Sequence, residues 1–256
     1  MHSYWSRSLR GTRVPRVFAA TLFALVLTLD LGTEPFAARI HDSLRFGRSV
    51  RGTALRAENL GAKQASTKVL LVGCIHGNEC AGRRILKVLR GKPSPSSFEL
   101  WTVRDANPDG SRARTRQNAR GVDLNRNFGA GWRGGGEPWD TYYPGPGPFS
   151  EPETRAVRRL IRKLRPDITI WYHQRMALVA KTRRHVRVQR QYADIVNLPL
   201  TRLEALPGTA SRWQNRSYPR HLSFVVELPA GPMSSRAAHR HARAVAVVAK
   251  SWGRLR

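Results

Sequence analysis

Two histidines and two glutamates stand where short apolar runs of this chain end. Residues 69–72 and Gly73 lead into Cys74-Ile75-His76-Gly77-Asn78-Glu79, residues 168–172 lead into His173, and residues 222–226 lead into Glu227. Singly, each has an ordinary reading: a His-x-x-Glu spacing is common, His173 fits a strand-end histidine with its hydrogen bonds met, and Glu227 fits a solvated carboxylate. Jointly they fit a catalytic metal. Two imidazoles and one carboxylate are the donor set of a zinc site that keeps its fourth position open. Such a metal acidifies a water and polarises a carbonyl, and a further carboxylate must then carry the proton to the leaving group. His76, Glu79 and His173 are the expected metal ligands, one Zn²⁺ per chain, and Glu227 the expected general base.

The elements that must place these groups follow from periodicity. The fully apolar run at 69–72 and the mostly apolar stretches at 100–103, 168–172 and 222–228 read as buried strands of a largely parallel sheet, and residues 39–68 lead in through an edge strand. Residues 82–89 read as a helix ended by Gly91 and Pro93. A second helix is expected to open at Ser150, with Glu153 completing a capping box, and to stop before Pro166. After Ser234, residues Ala238, Ala242, Val245, Ala249 and Trp252 share one helical face. Strands alternating with helices predict a doubly wound α/β fold, a mixed, mostly parallel sheet with helices on both faces, whose ligands bind beyond the carboxyl ends of the strands. Residues 107–148, rich in Gly, Asn, Arg and Pro, read as one long functional loop.

The rest of the chain bounds compartment and partners. Arg7, Arg10, Arg13 and Arg16 precede an apolar stretch at 17–29 closed by Asp30, the pattern of a signal peptide or uncleaved N-terminal anchor over residues 1–38. The catalytic domain is then 39–256 and its place is outside the cytoplasm, secreted or in the cell envelope, with membrane contact only if the segment is retained. Two cysteines, Cys74 and Cys80, are too few for a sulfur-rich zinc site, and export permits a disulfide between them. The formal charge of +28, from 45 Lys and Arg against 17 Asp and Glu, reads either as a solvated Arg-rich surface or as attraction to an anionic polymer such as the cell wall. No motif for specific nucleic-acid recognition accompanies it. The densest basic run, 181–190, reads as an exposed face.

Five segments in order carry a family resemblance: His76-Gly77-Asn78-Glu79, Asn107-Pro108-Asp109-Gly110, residues 116–128 (RQNARGVDLNRNF), His173, and Val226-Glu227-Leu228-Pro229. Together they resemble the M14 zinc carboxypeptidases over about residues 47–252. The resemblance implies a peptidase acting on a peptide with a free C-terminal carboxylate. Arg116 would stabilise the oxyanion, and Asn125 with Arg126 would grip the terminal carboxylate, which an Arg fork meets with two bonds. It also sets Trp213 in the pocket-forming segment and Ser211 near the position that governs side-chain preference, where a small neutral residue suits neither a basic nor an aromatic side chain. The interval from His173 to Glu227 is shorter than in digestive carboxypeptidases, and no tyrosine, Tyr218 included, falls in register with their mobile one. Compact size and the segment 144–153 (PGPGPFSEPE) resemble the small bacterial branch that includes murein peptide amidases, which cleave between γ-D-glutamate and diaminopimelate. The alternatives are a general secreted carboxypeptidase and an inactive cationic envelope-binding protein on the same scaffold.

Overall fold

The structure is a computed structural model that describes residues 40–256; the signal or anchor segment expected at 1–38 lies outside the described residues. Among these, no helix is long and apolar enough to cross a membrane.

Seven strands form one mixed sheet. In chain order they are β1 (Asp42–Arg48), β2 (Ala54–Asn59), β3 (Lys68–Val72), β4 (Glu99–Val103), β5 (Ile168–Ala180), β6 (Leu200–Thr201) and β7 (Leu222–Pro229). The order across the sheet is β1-β2-β4-β3-β5-β6, with β7 also paired to β5. The β1/β2 and β2/β4 pairs are antiparallel, and β3/β4, β3/β5, β5/β6 and β5/β7 are parallel. The doubly wound expectation is met, with the lead-in segment forming a two-stranded hairpin at the edge.

Why β3 reads as an unbroken apolar run, and its neighbours as mostly apolar ones, is visible in their packing. Side chains alternate across a strand, so Val69 and Leu71 of β3 face one core while Leu70 and Val72 face the other. The first core is closed by α1 (Gly82–Arg90), α4 (Val186–Val196) and α6 (Ser235–Leu255); the second by α3 (Pro152–Leu164) and the start of α5 (Ala210–Ser217). In α6 the expected stripe Ala238, Ala242, Val245, Ala249 and Trp252 is buried, and Ser234 caps its start, accepting from the amide of Ala237 at 3.2 Å.

Helix α3 begins one residue later than the capping-box pattern suggests. Pro152 occupies the first helical turn, where a missing N–H costs nothing, and Glu151 is the cap residue with no side-chain cap bond. Glu153 accepts instead from the amide of Val50 at 2.9 Å, and Ser150 accepts from Asn127. The 107–148 stretch is also more ordered than one loop. It holds a short helix, α2 (Pro108–Ala113), capped by Asn107, and a single 3₁₀ turn, Leu124–Arg126, capped by Asp123. Its asparagines substitute for a ladder: Asn107 Nδ2 donates to Gln117 O, Asn118 Oδ1 accepts from the amides of Arg120 and Val122, and Asn127 Nδ2 donates to Pro144 O and Gly147 O.

Candidate metal centre and cleft

The parallel register explains how residues far apart in sequence meet. In β5, Trp171 faces the α3 side and Tyr172 the opposite core, so His173 follows Trp171 back to the α3 side. Glu227 is the register partner of His173 in β7, and paired residues of neighbouring strands share a face. His76 and Glu79 arrive on the turn after β3, where the amide of Glu79 donates to His76 O at 3.0 Å. Gly77 is required in that turn, because a Cβ there would lie 2.0 Å from the backbone of Gly110. A disulfide joins Cys74 to Cys80 across the same turn, Cα to Cα 4.7 Å.

The three expected ligands converge. His76 Nδ1 is 2.9 Å from Glu79 Oε2, His173 Nδ1 is 3.1 Å from the same oxygen, and the two Nδ1 atoms are 3.2 Å apart. All three residues are buried. This donor set fits a metal. His76 Nε2 lies 2.9 Å from Asp123 Oδ1; with the ring proton there, Nδ1 turns a lone pair toward Glu79 and His173. Lone pairs that crowd one another in a buried site need a cation between them, and ligand bonds of about 2.0–2.2 Å place tetrahedral donors roughly 3.3 Å apart. His173 Nε2 and Glu227 Oε2 are both buried without a hydrogen-bond partner, the second consistent with a carboxylate reserved for a ligand.

Surrounding charges hold the carboxylates ionised. Burial alone would raise the Glu79 carboxyl, but the hydrogen bonds and charges of His173 and His76 hold it well below the usual range. Asp123 is likewise held low against its burial by His76, Arg116 and Arg126. His76, whose burial opposes charging, is raised by Asp123 and Glu79. Arg116 bridges the two carboxylates, Nη1 to Glu79 Oε1 at 2.7 Å and Nε to Asp123 Oδ2 at 3.0 Å.

A cleft of about 1090 Å³ opens from this centre and is lined by His76, Glu79, His173, Glu227, Arg116, Asn125, Arg126 and Ser211. Asn125 and Arg126 sit on the 3₁₀ turn, with Asn125 Oδ1 accepting from the amide of Ala210 at 2.9 Å. The structure thus brings together every sequence-derived site residue except Trp213. Two positions apart on a helix is about 200°, so while Ser211 faces the cleft Trp213 turns to the second core, packed on Phe128 and Phe149. Tyr218 also stays out of the cleft, against Trp213 with the Arg165 guanidinium over its ring. The basic run at 181–190 is not simply an outer face: residues 181–185 line the cleft, and only from Val186 does it become α4.

Sequence reading missed three participants. Asp123, two residues before Asn125, orients His76. Gln174 ties the ligand turn to β7, accepting from the amide of Ala81 at 3.1 Å and donating to Pro229 O at 3.1 Å. Tyr142, exposed at the cleft mouth, has the guanidiniums of Arg116 and Arg126 5.3 and 4.9 Å from its ring centre. Asp123 and Gln174 were findable as neighbours of motif residues; Tyr142 carries no spacing signal.

A mixed α/β sheet presenting a buried His₂Glu cluster, a free carboxylate and a paired Asn-Arg at its carboxyl edge is the scaffold of a metallohydrolase. Comparison with known proteins makes this narrower. A family model described as zinc carboxypeptidase (Peptidase_M14) matches residues 96–217. Murein peptide amidase A of Escherichia coli K12 is 31% identical over 181 residues, covering 66% of this chain and 74% of that protein. Its counterpart from Vibrio campbellii is 30% identical over 199 residues, covering 72% and 78%. The crystal structure of a murein-tripeptide amidase from E. coli O157 superposes with TM-score 0.69 at 30% identity, over 84% of this chain and 94% of that one. Carboxypeptidase A of Helicoverpa armigera, at 20% identity, shares the fold with TM-score 0.72, over 83% of this chain and 68% of that one. The chain belongs to the M14 zinc carboxypeptidase family and is a metallopeptidase.

Proposed function

We propose that this protein is a zinc-dependent carboxypeptidase of the cell envelope that releases the C-terminal residue of wall peptides of the γ-D-glutamyl-diaminopimelate type. The observation that carries the reading is the meeting of His76, Glu79 and His173 at 2.9–3.2 Å in one cleft with Glu227, Asn125 and Arg126. The likeness to murein peptide amidases over most of their length supports the wall substrate, and the leader pattern supports export.

His76, Glu79 and His173 would hold the zinc, which supplies Lewis acidity toward a carbonyl and a water. Asp123 keeps the His76 proton on Nε2 so that Nδ1 stays available. Asn125 and Arg126 hold the terminal carboxylate of the substrate, which selects a chain end over an internal bond. Glu227 takes the proton of the attacking water and delivers it to the departing amine. Arg116, fixed by Glu79 and Asp123, stands beside the cleft where negative charge develops on the carbonyl oxygen.

Incubating the enzyme with L-Ala-γ-D-Glu-diaminopimelate should release free diaminopimelate, and a chelator should stop it. Glu227→Gln should keep its zinc and lose roughly 10²–10⁴-fold in turnover, the usual worth of a proton carrier. Cleavage of hippuryl dipeptides with no diaminopimelate release would make it a general carboxypeptidase. A purified protein without zinc and indifferent to chelation would instead be a binding protein on this scaffold.

A further inference from the structure

The cleft has a wall that the proposed reaction leaves unused. Residues 181–185, 202–206 and the cleft face of α5 contribute Lys181, Arg183, Arg184, Arg202, Arg212 and Arg216. Among the described residues the Lys and Arg side chains that carry an ion pair are Lys68, Arg83, Arg90, Arg116 and Arg120, so what sets these six apart is that they share one concave wall. Among the described residues none of the six has a carboxylate within ion-pair distance. Two are fixed by backbone carbonyls, Arg184 Nη1 on Pro219 O at 3.0 Å and Arg212 Nη1 on Ala205 O at 2.8 Å; such bonds position a guanidinium without neutralising it. The wall's carboxylate, Glu204, leaves a strong positive excess. A concave surface lined by one sign of charge concentrates its field on whatever enters.

The wall is built at a defined place relative to the chemistry. Its helix, α5, is fastened at its start to the carboxylate-gripping turn by Asn125 Oδ1 and Ala210 N, and farther along to β7 by Asn215, which exchanges hydrogen bonds of 2.7 and 2.8 Å with Ser223. Ser211 lies on the same face of this helix, small and neutral, so nothing bulky separates that face from the cleft. A terminal residue whose carboxylate rests on Asn125 and Arg126 has this wall beside its side chain.

We infer that the wall is a subsite for a second anionic group, a carboxylate on the side chain of the residue being released. The inference rests on the carboxypeptidase reading and narrows its substrate class to C-terminal residues with an acidic side chain; the distal carboxylate of diaminopimelate is one such group.

The zinc-loaded enzyme is tested on hippuryl-Glu, hippuryl-Gln and hippuryl-Leu. The Glu substrate should exceed the Gln isostere in kcat/KM by about tenfold or more, the scale of one well-placed charge contact, chiefly through KM. The preference should shrink as salt rises from about 0.05 to about 0.5 M, since an open cleft is screened. In Arg183→Ala/Arg184→Ala and in Arg202→Ala/Arg216→Ala the Glu-to-Gln ratio should collapse toward one, and Arg216→Glu should shift preference toward C-terminal lysine, a gain that misfolding cannot produce. A wild-type ratio near one, or a ratio that survives both double variants, overturns the subsite while leaving the carboxypeptidase standing. No hydrolysis of any of these substrates or of wall tripeptide overturns both.

Discussion

Asp123 touches no substrate, yet the metal centre depends on it. It is buried, accepts from His76 Nε2 at 2.9 Å through one oxygen and from Arg116 Nε at 3.0 Å through the other. One carboxylate therefore fixes both the tautomer of a ligand and the position of the guanidinium beside the cleft. Asp123→Asn nearly preserves the shape but can present its amide N–H₂ toward His76, favouring the wrong ring nitrogen. Zinc affinity, read by competition with a chromogenic chelator, should fall about 10–100-fold, the usual cost of losing such a partner. Affinity equal to wild type would show that Asp123 does not orient His76. This residue also shows the limit of reading chemistry from residue type. His76, Glu79, His173 and Glu227 were legible because each follows an apolar run, so the strand itself signals where the side chain emerges. Asp123 follows no run; only the fold brings it under His76. Trp213 fails for the complementary reason: a motif position fixes a residue's place in sequence, while the helical turn between 211 and 213 decides which of them meets the cleft.

At the scale of elements, the strands were legible and the segments between them were not. Burial on both faces leaves β3 apolar from Val69 to Val72 and the buried parts of β4, β5 and β7 mostly so, whereas the 107–148 segment is held by asparagine side chains and turn caps, interactions with no periodicity to detect. The capping of α3 at Glu151 rather than Ser150 was decided by tertiary demand on Glu153 and Ser150, which Val50, Asn118 and Asn127 claim. The ligand turn is the element most exposed to a small change. Gly77 sits against Gly110, itself pressed to within 2.2 Å of Gln117 O if given a Cβ, so neither side of the contact can yield independently. Gly77→Ala should cost about 1–3 kcal/mol of stability, the scale of overpacking, and should displace His76 and Glu79 together. Denaturant unfolding and zinc titration on the same variant check this; a stable variant with unaltered zinc affinity would show that the turn relaxes freely.

Over the whole molecule, acid stability should depend on a histidine far from the metal. His241 lies on α6 in the core opposite the centre, 2.9 Å from Tyr192 OH, which in turn is 3.1 Å from Tyr172 OH. Burial, helped by the neighbouring Arg240 charge, lowers its pKa to about 4 from 6.5. Folded protein therefore keeps His241 neutral where the unfolded chain protonates it, and stability, full above pH 6.5, is lost progressively as pH falls from 6.5 toward 4. The shift corresponds to roughly 3 kcal/mol at 1.36 kcal/mol per unit, a large share of what holds an ordinary domain together. Glu79 and Asp123, held low, act with the same sign but only at more acidic pH, so the window between 4 and 6.5 isolates His241 from them. The +28 surface adds self-repulsion in acid, but that contribution responds to salt and the buried histidine does not. His241→Gln, which can still accept from Tyr192, should flatten the fall in unfolding free energy between pH 6.5 and 4 while leaving the salt-dependent part in place. An unchanged pH profile in this variant would place the acid sensitivity on another group that titrates in this range, such as His185, whose pKa is also lowered by burial.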